Sequence, residues 1–392
     1  MKHIKDIDCN QKKVFLRTDF NVPMDEQLNI TDDSRIKRAL PTLKHLIDNN
    51  SAIIIASHLG RPKGSYNPQL SLKPVVKRLS DILGKKVVFC DDFTSSEGKK
   101  LIDNIKSGEI LFLENLRFYS SEEKNDTDFA KQLADLCDIY VNDAFGLAHR
   151  AHASVYAITK FAKVSCAGFL LYQEYDYLKK VMQNPQRPLV AIIGGAKVSS
   201  KIAALKNLLN YADKIIIAGA VANTFLKAKG IDMAASKIDN EAIEGAKAIM
   251  EIAEQKNIPL YFPQDCIAAQ KISSDADFGK FDINDIPLDY MALDIGLKSF
   301  KTFQKALKDA KTIIWSGTFG IFEVFYPFGY GTQSMADIIT ETSAFTLIGG
   351  GDTVAAINKL GLSEKVSYIS TGGGAFLSFL AGKQMPAIEA FN

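Results

Sequence analysis

The sequence lacks the features of secreted, membrane-spanning and nucleic-acid-binding proteins. Its 392 residues include five cysteines without C-x-x-C spacing, which argues against a disulfide framework or a structural zinc site and favours buried apolar cysteines. The first residues, MKHIKDIDCN, contain no apolar signal region, and no later stretch approaches the roughly 18 apolar residues of a membrane span. The formal net charge of +2, without blocks of like charge, indicates no general affinity for nucleic acid. We therefore expect a cytoplasmic protein in which any anion site is local.

Two common nucleotide-binding motifs are also missing. Aligned on Lys197, the P-loop pattern G-x-x-x-x-G-K-[ST] requires two glycines and a hydroxyl residue, but the chain has Ala191, Ala196 and Val198. No G-x-G-x-x-G follows a strand of the first half, which argues against an NAD-dependent dehydrogenase. The stretch GGAKVSSK, residues 194–201, therefore needs a different explanation.

Short apolar runs alternate with amphipathic helical stretches along the whole chain, which is typical of βαβ units and buried parallel sheets. The length favours two or three domains. We predict an α/β protein with two domains, each a mainly parallel sheet flanked by helices, and a connector at 171–188, where two prolines interrupt the pattern. The predicted strands are 14–17, 52–58, 86–89, 109–116 and 138–144 in the first half, and 189–195, 214–220, 259–262, 312–317, 346–352 and 366–374 in the second.

Cations follow the predicted strands of the first half. Ligands of open parallel sheets bind beyond the carboxyl ends of the strands, and arginines converging there suit a small polyanion because guanidinium groups pair bidentately with phosphate and carboxylate. A single arginine at such a place is most often a solvated surface charge. His149 and His152 have the spacing of a metal pair, but a hydrogen-bonding role in a loop is favoured. The candidate anion-binding cations are His58, Arg61, Arg117 and Arg150, with Asp19, Asn21 and Arg35 nearby.

Glycines occupy the corresponding positions of the second half, at 194–195, 219, 317, 349–351 and 372–374. Glycine at a strand-to-helix turn lets backbone amides approach an anion, although a tight turn alone explains any one of them. Asp352 opens a predicted helix, where it is either an N-cap or, beside a phosphate site, a ligand of Mg²⁺.

The two lysines of GGAKVSSK lie at an unfavourable place for helix stability. Val198, Ile202 and Leu205 have the spacing of a buried helical face, which puts Lys197 and Lys201 on another face, four residues apart. Like charges at this spacing repel by roughly 0.2–0.5 kcal/mol, and cations in a first turn oppose the helix dipole. A bound anion would reverse both effects, so a phosphate site is favoured over two solvated surface lysines.

In order along the chain, these motifs resemble the phosphoglycerate kinase family over essentially the whole length. The matching stretches are KVFLRTDFNVP (13–23), SHLGRP, ENLRF, VNDAFGLAHRAH, IIGGAKVSSK, GGGDT and STGGGA. The resemblance implies two Rossmann-like domains, 1–170 for 3-phosphoglycerate and 189–377 for the Mg-nucleotide, with hinge closure at 171–188 and a tail, about 378–392, packing back on the first. It further implies reversible transfer of the acyl phosphate of 1,3-bisphosphoglycerate to ADP, giving 3-phosphoglycerate and ATP, by a monomer.

The resemblance also assigns roles residue by residue. Arg35, Lys201 and the amide of Gly373 are expected to act on the phosphoryl group in transfer. Phosphoglycerate binding is expected at Asp19, Phe20, Asn21, Arg35, His58, Leu59, Gly60, Arg61, Arg117 and Arg150. Nucleotide binding is expected at Gly195, Lys197, Lys201, Gly219, Ala292, Glu323, Gly350, Gly351, Asp352 and Thr353, with Asp352 on Mg²⁺.

Three stretches depart from the family's pattern, all in the nucleotide half. Ala218 and Ala220 flank Gly219 where a glycine pair is expected, Ser316 and Thr318 stand where asparagine and proline are usual, and Ala292 replaces a glycine. These changes bear on nucleotide affinity rather than on the reaction class. A two-domain binding protein that closes on an anion without chemistry is the alternative, but it gives no reason for Lys201 beside glycines or for GGGDT.

Overall fold

The computed structural model describes residues 1–391 and divides them into two compact units. The first comprises residues 1–177 together with the segment from 384, and the second comprises residues 178–383. The dividing point falls inside a helix, Phe169–Gln183, that covers most of the predicted connector. Residues 378–383, which we assigned to the returning tail, belong to the second unit.

The first unit contains a six-stranded, fully parallel sheet. Its strands, in the order β3-β4-β2-β1-β5-β6, are β1 Lys13–Arg17, β2 Ala52–Ala56, β3 Val87–Cys90, β4 Ile110–Leu113, β5 Ile139–Asn142 and β6 Val164–Ala167. Its helices are α1 Ser34–Arg38, α2 Leu40–Asp48, α3 Lys73–Leu83, α4 Ser96–Asn104, α5 Ser120–Glu123, α6 Thr127–Ala134 and the start of α7 Phe169–Gln183.

Both faces of this sheet are covered, which explains its uninterrupted apolar strands. Ile53 and Ile55 pack into one cluster and Ile54, between them, into a second cluster on the other face. The five predicted strands are confirmed. Edge strand β6 was missed because VSCA is too short and too weakly apolar to stand out.

The second unit contains a parallel six-stranded sheet and a small antiparallel one. The parallel sheet has the order β15-β14-β13-β7-β8-β9, formed by β7 Leu189–Ile193, β8 Lys214–Ile217, β9 Leu260–Tyr261, β13 Thr312–Ser316, β14 Phe345–Ile348 and β15 Tyr368–Ile369. The antiparallel sheet, in the order β11-β10-β12, is formed by β10 Asp265–Ala269, β11 Phe278–Asp282 and β12 Met291–Ile295.

The helices of this unit are α8 Val198–Leu208, α9 Gly219–Ala228, α10 Ile243–Gln255, α11 Leu297–Leu307, α12 Phe325–Phe328, α13 Tyr330–Glu341, α14 Gly351–Lys359 and α15 Gly374–Leu380. A last helix, α16 Pro386–Glu389, belongs to the first unit. The predicted α/β class and the six strands of the second sheet are confirmed. The antiparallel sheet was not predicted, because its strands are short and charged residues interrupt or flank their apolar stretches.

The five cysteines are all free in the described part of the chain, and four of them are buried, as predicted. Cys137 is half-buried. Between residues 1 and 391, no helix combines the length and apolar character needed to cross a bilayer.

Candidate active site

The predicted anion-binding residues of the first unit form a connected network at the carboxyl edge of its sheet. Asp19 follows β1, and its Oδ1 accepts a hydrogen bond of 2.9 Å from Nη1 of Arg35. The side-chain oxygen of Asn21 accepts from the Gly60 amide at 2.9 Å. The Gly60 carbonyl in turn accepts from Nη1 of Arg117 at 2.8 Å. Loops after three strands thus hold these groups together, although they are distant in the sequence.

The arginines of this edge differ in exposure. Arg117 is only 5% exposed, and burial lowers the pKa of its guanidinium, with Arg17 and Arg150 adding to the effect and Glu123 opposing it. Arg35 and Arg150 are half-buried and Arg61 is exposed. The charges of Arg17 and Arg150 act on the buried Arg117, and this favours a bound polyanion, because an anion between them removes their mutual repulsion.

Two predicted binding residues, Phe20 and Leu59, direct their side chains into the hydrophobic core. Phe20 is fully buried, with its ring 6.0 Å from that of Phe112, and Leu59 is 4% exposed. Any contact of these two residues with a substrate is therefore left to their backbone atoms.

His58 is a neutral hydrogen-bond donor rather than one of the cations predicted from the sequence. Its ring is buried, and burial, followed by the charges of Arg17, Arg117 and Arg35, lowers its pKa well below the ordinary value. Its Nδ1 lies 3.5 Å from Nη2 of Arg17. Because a guanidinium cannot accept a hydrogen bond, Nδ1 carries the lone pair and Nε2 the proton, 3.9 Å from Oδ1 of Asp19.

Arg17 is a buried cation beside these residues, and sequence reasoning missed it. It is fully buried, its Nε donates to Oγ of Ser154 at 2.7 Å, and its Nη2 lies 3.7 Å from Oε1 of Glu122. The amide of Ser154 donates to Oε2 of Glu122 at 2.9 Å, which completes the pairing of this buried charge. The available signal was an arginine ending the apolar run VFLR, at the edge where ligands bind.

A cavity of about 260 Å³ opens at the carboxyl edge of the parallel sheet in the second unit. It lies between the ends of β7, β8 and β13 and the antiparallel sheet. Five predicted nucleotide-binding residues line it: Gly195, Gly219, Ala292, Glu323 and Asp352. Sequence reasoning assigned no role to further lining residues, namely Asn223, Lys237, Asp294 and Phe319, and it noted Thr318 only as a departure. Asn223 and Asp294 gave no signal, since Asn223 lies within a mostly apolar helix and the other residues of β12 are apolar.

The glycines beside this cavity bring three strand ends together. Gly219 has a φ of +59°, and a Cβ on it would lie 2.7 Å from the Gly195 nitrogen. Gly317 has a φ of +102°, and a Cβ there would overlap the Gly194 carbonyl. Close backbone approach therefore requires these glycines, independently of any ligand.

Lys201 is buried, although the helical pattern put it on a different face from the apolar residues of α8. It lies in the first turn of α8, is 6% exposed, and donates a hydrogen bond of 2.8 Å from Nζ to Oγ of Ser316. Burial lowers the pKa of its ammonium to about 8, while the carboxylate of Asp352 opposes that shift. Lys197 is exposed at the N-cap position, outside the helix.

Helix α14 begins one residue before the predicted N-cap. Gly350, with a φ of +94°, occupies the N-cap position, and Asp352 lies exposed in the first turn. The N-cap interpretation of Asp352 is therefore wrong. The Thr353 side chain is buried, and its hydroxyl accepts from the Gly317 amide at 2.6 Å, which joins α14 to the end of β13.

The space beside two predicted phosphate-binding glycines is open. A Cβ on Gly351 or Gly373 would have no neighbour within 4 Å. Gly373 precedes α15 and has a φ of +48°. These two helix starts therefore have room for a ligand.

Within residues 1–391, no three His, Cys, Asp or Glu side chains converge closely enough to hold a metal ion by themselves. A divalent ion at Asp352 would thus be held through one carboxylate and the phosphates of a nucleotide. Mg²⁺ is commonly bound in this manner, so the donor set fits.

The known proteins that resemble this chain share one family. The family model described as "Phosphoglycerate kinase" matches residues 4–383. The phosphoglycerate kinase of Geobacter metallireducens is 50% identical over 393 aligned residues, which cover 100% of this chain and 98% of that protein. Phosphoglycerate kinase 3, cytosolic, of Arabidopsis thaliana is 48% identical, covering 99% of this chain and 97% of that protein.

Among solved structures, the phosphoglycerate kinase of Coxiella burnetii superimposes with a TM-score of 0.90 at 40% identity, covering 99% of this chain and 98% of that one. The phosphoglycerate kinase of Pyrococcus horikoshii gives 0.86 at 30% identity, covering 100% and 98%. This chain therefore belongs to the phosphoglycerate kinase family.

Proposed function

We propose that the network of the first unit binds the phosphoglycerate and the cavity of the second unit binds the nucleotide, in the reaction of the family. That reaction is the reversible transfer of the acyl phosphate of 1,3-bisphosphoglycerate to ADP. The observation that carries the proposal is the buried ammonium of Lys201 at the carboxyl edge of the second sheet. A desolvated cation there, at the start of a helix, is costly for the fold unless an anion binds it.

Phosphoglycerate is proposed to bind by charge and by hydrogen bonding. Arg35, Arg61, Arg117 and Arg150 supply permanent cations for its phosphate and carboxylate groups. His58 supplies an uncharged N–H and Asp19 an acceptor for a hydroxyl, and both are held by the contacts described above. A neutral donor keeps the same function across the pH range in which an ordinary histidine titrates.

The nucleotide is proposed to bind in the cavity of the second unit, with its phosphates toward Lys197, Lys201 and the start of α14. Ala292 and Gly219 are small residues that line the cavity, and the acidic residue Glu323 lines it as well. Asp352 is the proposed protein ligand of the Mg²⁺ that accompanies the nucleotide. When bound, Mg²⁺ supplies positive charge to the phosphate oxygens.

Phosphoryl transfer requires positioning and stabilisation of charge rather than a protein nucleophile. The ADP oxygen forms the new bond to phosphorus as the carboxylate of 3-phosphoglycerate leaves. Lys201, Arg35 and the Gly373 amide are the proposed donors to the oxygens of the transferring group. Closure about the connector, which keeps water from an acyl phosphate, stays a prediction.

We also propose that the protein acts in the cytoplasm as a monomer, with its substrates as its partners and without nucleic acid. The naming of one relative as cytosolic and the nearly balanced charge support this proposal.

The proposed roles are tested by a coupled assay with 3-phosphoglycerate, ATP and Mg²⁺. Lys201→Ala and Arg35→Ala are each expected to lower kcat by about 10²–10³-fold, as for the loss of one preorganised donor to a developing charge. Lys206→Ala, an exposed lysine on the same helix as Lys201, is the matched control and should leave kcat unchanged. Full activity in Lys201→Ala or Arg35→Ala would contradict the role of that residue.

A further inference from the structure

We infer that Ser316 is a positioning residue that holds the Lys201 ammonium at the point of phosphoryl transfer. The inference rests on the role proposed above for Lys201. Ser316 is the last residue of β13 and is fully buried, so its hydroxyl is fixed by the sheet rather than by a mobile loop. It is also one of the positions at which this chain departs from the family, since asparagine is usual there.

The hydrogen bond to Ser316 leaves Lys201 partly free to bind an anion. An ammonium has three N–H donors, and in the described structure Lys201 uses one of them, toward Oγ of Ser316 at 2.8 Å. Two donors therefore remain for phosphate oxygens. Because an extended lysine side chain has several rotatable bonds, a fixed acceptor at its end reduces the conformational entropy that is lost when the anion binds.

The position of Ser316 places that ammonium beside the start of α14. A Cβ on Gly350 would lie 2.9 Å from Oγ of Ser316, so the hydroxyl almost touches the N-cap residue of this helix. The next residue, Gly317, donates its amide to the Thr353 hydroxyl in the first turn of the same helix. Ser316 thus couples three elements, α8 through Lys201, β13 through its own backbone, and α14 through close packing.

The hydroxyl also supports the charged state of Lys201. The charged groups that act on this ammonium are Asp352, which favours its protonated form, and Lys197, which disfavours it, and both belong to exposed residues. Ser316 adds a buried, neutral hydrogen-bond acceptor for the Lys201 ammonium. Without it the desolvated ammonium loses a hydrogen bond, and its protonated fraction near neutral pH falls.

The experiment compares Ser316→Ala with Ser316→Thr, which retains the hydroxyl, and with Ser199→Ala, an exposed serine in the first turn of α8. In Ser316→Ala we expect kcat to fall by about 10–100-fold, the usual range for losing a hydrogen bond to a charged group. KM for 3-phosphoglycerate should stay unchanged. The alkaline limb of the kcat–pH profile should move to lower pH, and Ser316→Thr should restore both kcat and the profile.

A second measurement does not depend on activity. In protein labelled with ¹³C at the lysine ε-carbons, the Lys201 signal, assigned by its loss in Lys201→Ala, should titrate at lower pH in Ser316→Ala than in the unchanged protein. If Ser316→Ala fails to fold, Ser316→Cys is used instead, since a thiol is a weak acceptor of nearly the same size.

The positioning role of Ser316 and the proposed role of Lys201 would fail in different ways. Unchanged kcat and an unchanged Lys201 titration in Ser316→Ala or Ser316→Cys, with activity lost in Lys201→Ala, would overturn the inference and leave the function standing. Loss of activity in Ser316→Thr with a normal Lys201 titration would overturn it as well. Full activity in Lys201→Ala would instead remove the proposed role of that lysine.

Discussion

Asp294 is a carboxylic acid in an almost fully buried position at the wall of the nucleotide cavity. Its Oδ1 accepts from the amide of Ile295 and its Oδ2 from the amide of Gly331, each at 2.8 Å, so it joins β12 to the start of α13. Burial raises its pKa to about 7 despite these two bonds. In the unfolded chain the group titrates near the ordinary value of 3.8.

The sign of the resulting pH dependence follows from proton uptake. Between about pH 4 and pH 7 the native state retains a proton that the unfolded state has lost, so this group lowers the stability as the pH rises through that window. Compared with an Asp294→Asn variant, the unchanged protein should therefore lose about 1.4 kcal/mol of unfolding free energy per pH unit there. Above pH 7 the difference should be constant.

This prediction has a convenient optical measurement. Trp315 is the single tryptophan of the chain and is buried in the core of the second unit, so its fluorescence during denaturation reports on that unit. Asp337→Asn, at an exposed aspartate on α13, is the control. A difference that is flat from pH 4 to pH 8 would show that Asp294 is ionised throughout.

At the scale of elements, the glycines at the two ends of α14 allow ligand binding and helix stability to be tested separately. Gly351 occupies its first position, without a positive φ and with open space around it. Gly361 follows its end with a φ of +69°, also in open space. The two glycines therefore differ in backbone strain and in distance along the helix from the proposed phosphate site.

Alanine substitutions at both ends should have opposite effects. Gly351→Ala should keep or slightly raise the stability of the second unit, since alanine favours helix by about 1 kcal/mol, but its methyl should obstruct the phosphates and raise KM for ATP. Gly361→Ala should cost about 1 kcal/mol of stability and leave KM unchanged. Denaturation followed by Trp315 fluorescence and steady-state kinetics measure both. Equal KM values for the two variants would argue against phosphate binding at the start of α14.

At the scale of the whole molecule, the proposed division of ligands predicts where each ligand slows hydrogen exchange. 3-Phosphoglycerate should protect peptides of residues 1–177, and Mg-ADP should protect peptides of residues 178–383, because a bound ligand suppresses the openings of the unit that holds it. Exchange measured by mass spectrometry with each ligand alone tests this. Protection by Mg-ADP confined to the first unit would contradict the assignment.

The chain end belongs to the unit assigned to phosphoglycerate. The Ala387 amide donates to the Ala148 carbonyl at 3.2 Å, and the ring of Phe391 stacks on that of Tyr140 at 6.4 Å. Ala148 lies two residues before Arg150, so the tail contacts the loop that carries one of the proposed binding arginines. This contact pairs segments that are more than two hundred residues apart, and nothing in the sequence near 387 identified its partner.

The sequence by itself predicted the two parallel sheets and most residues at their carboxyl edges, and its resemblance to a known family indicated the reaction class. The sheets and their edges could be predicted because they depend on local order: an apolar run predicts a strand, and the residues that follow it must lie at the edge where ligands bind. The antiparallel sheet has only short apolar stretches next to charged residues, and it was missed.

Only the tertiary structure decided which of the charged and polar side chains are buried and what each one contacts. Lys201 and Ser316 are separated by 115 positions, and Arg17 and Ser154 by 137, so no local pattern could pair them. The charge of His58 and the pKa of Lys201 depend on those contacts and on the exclusion of water. Burial is a property of the packed elements, and for that reason the same residues that looked exposed or charged in the sequence became fixed donors in the fold.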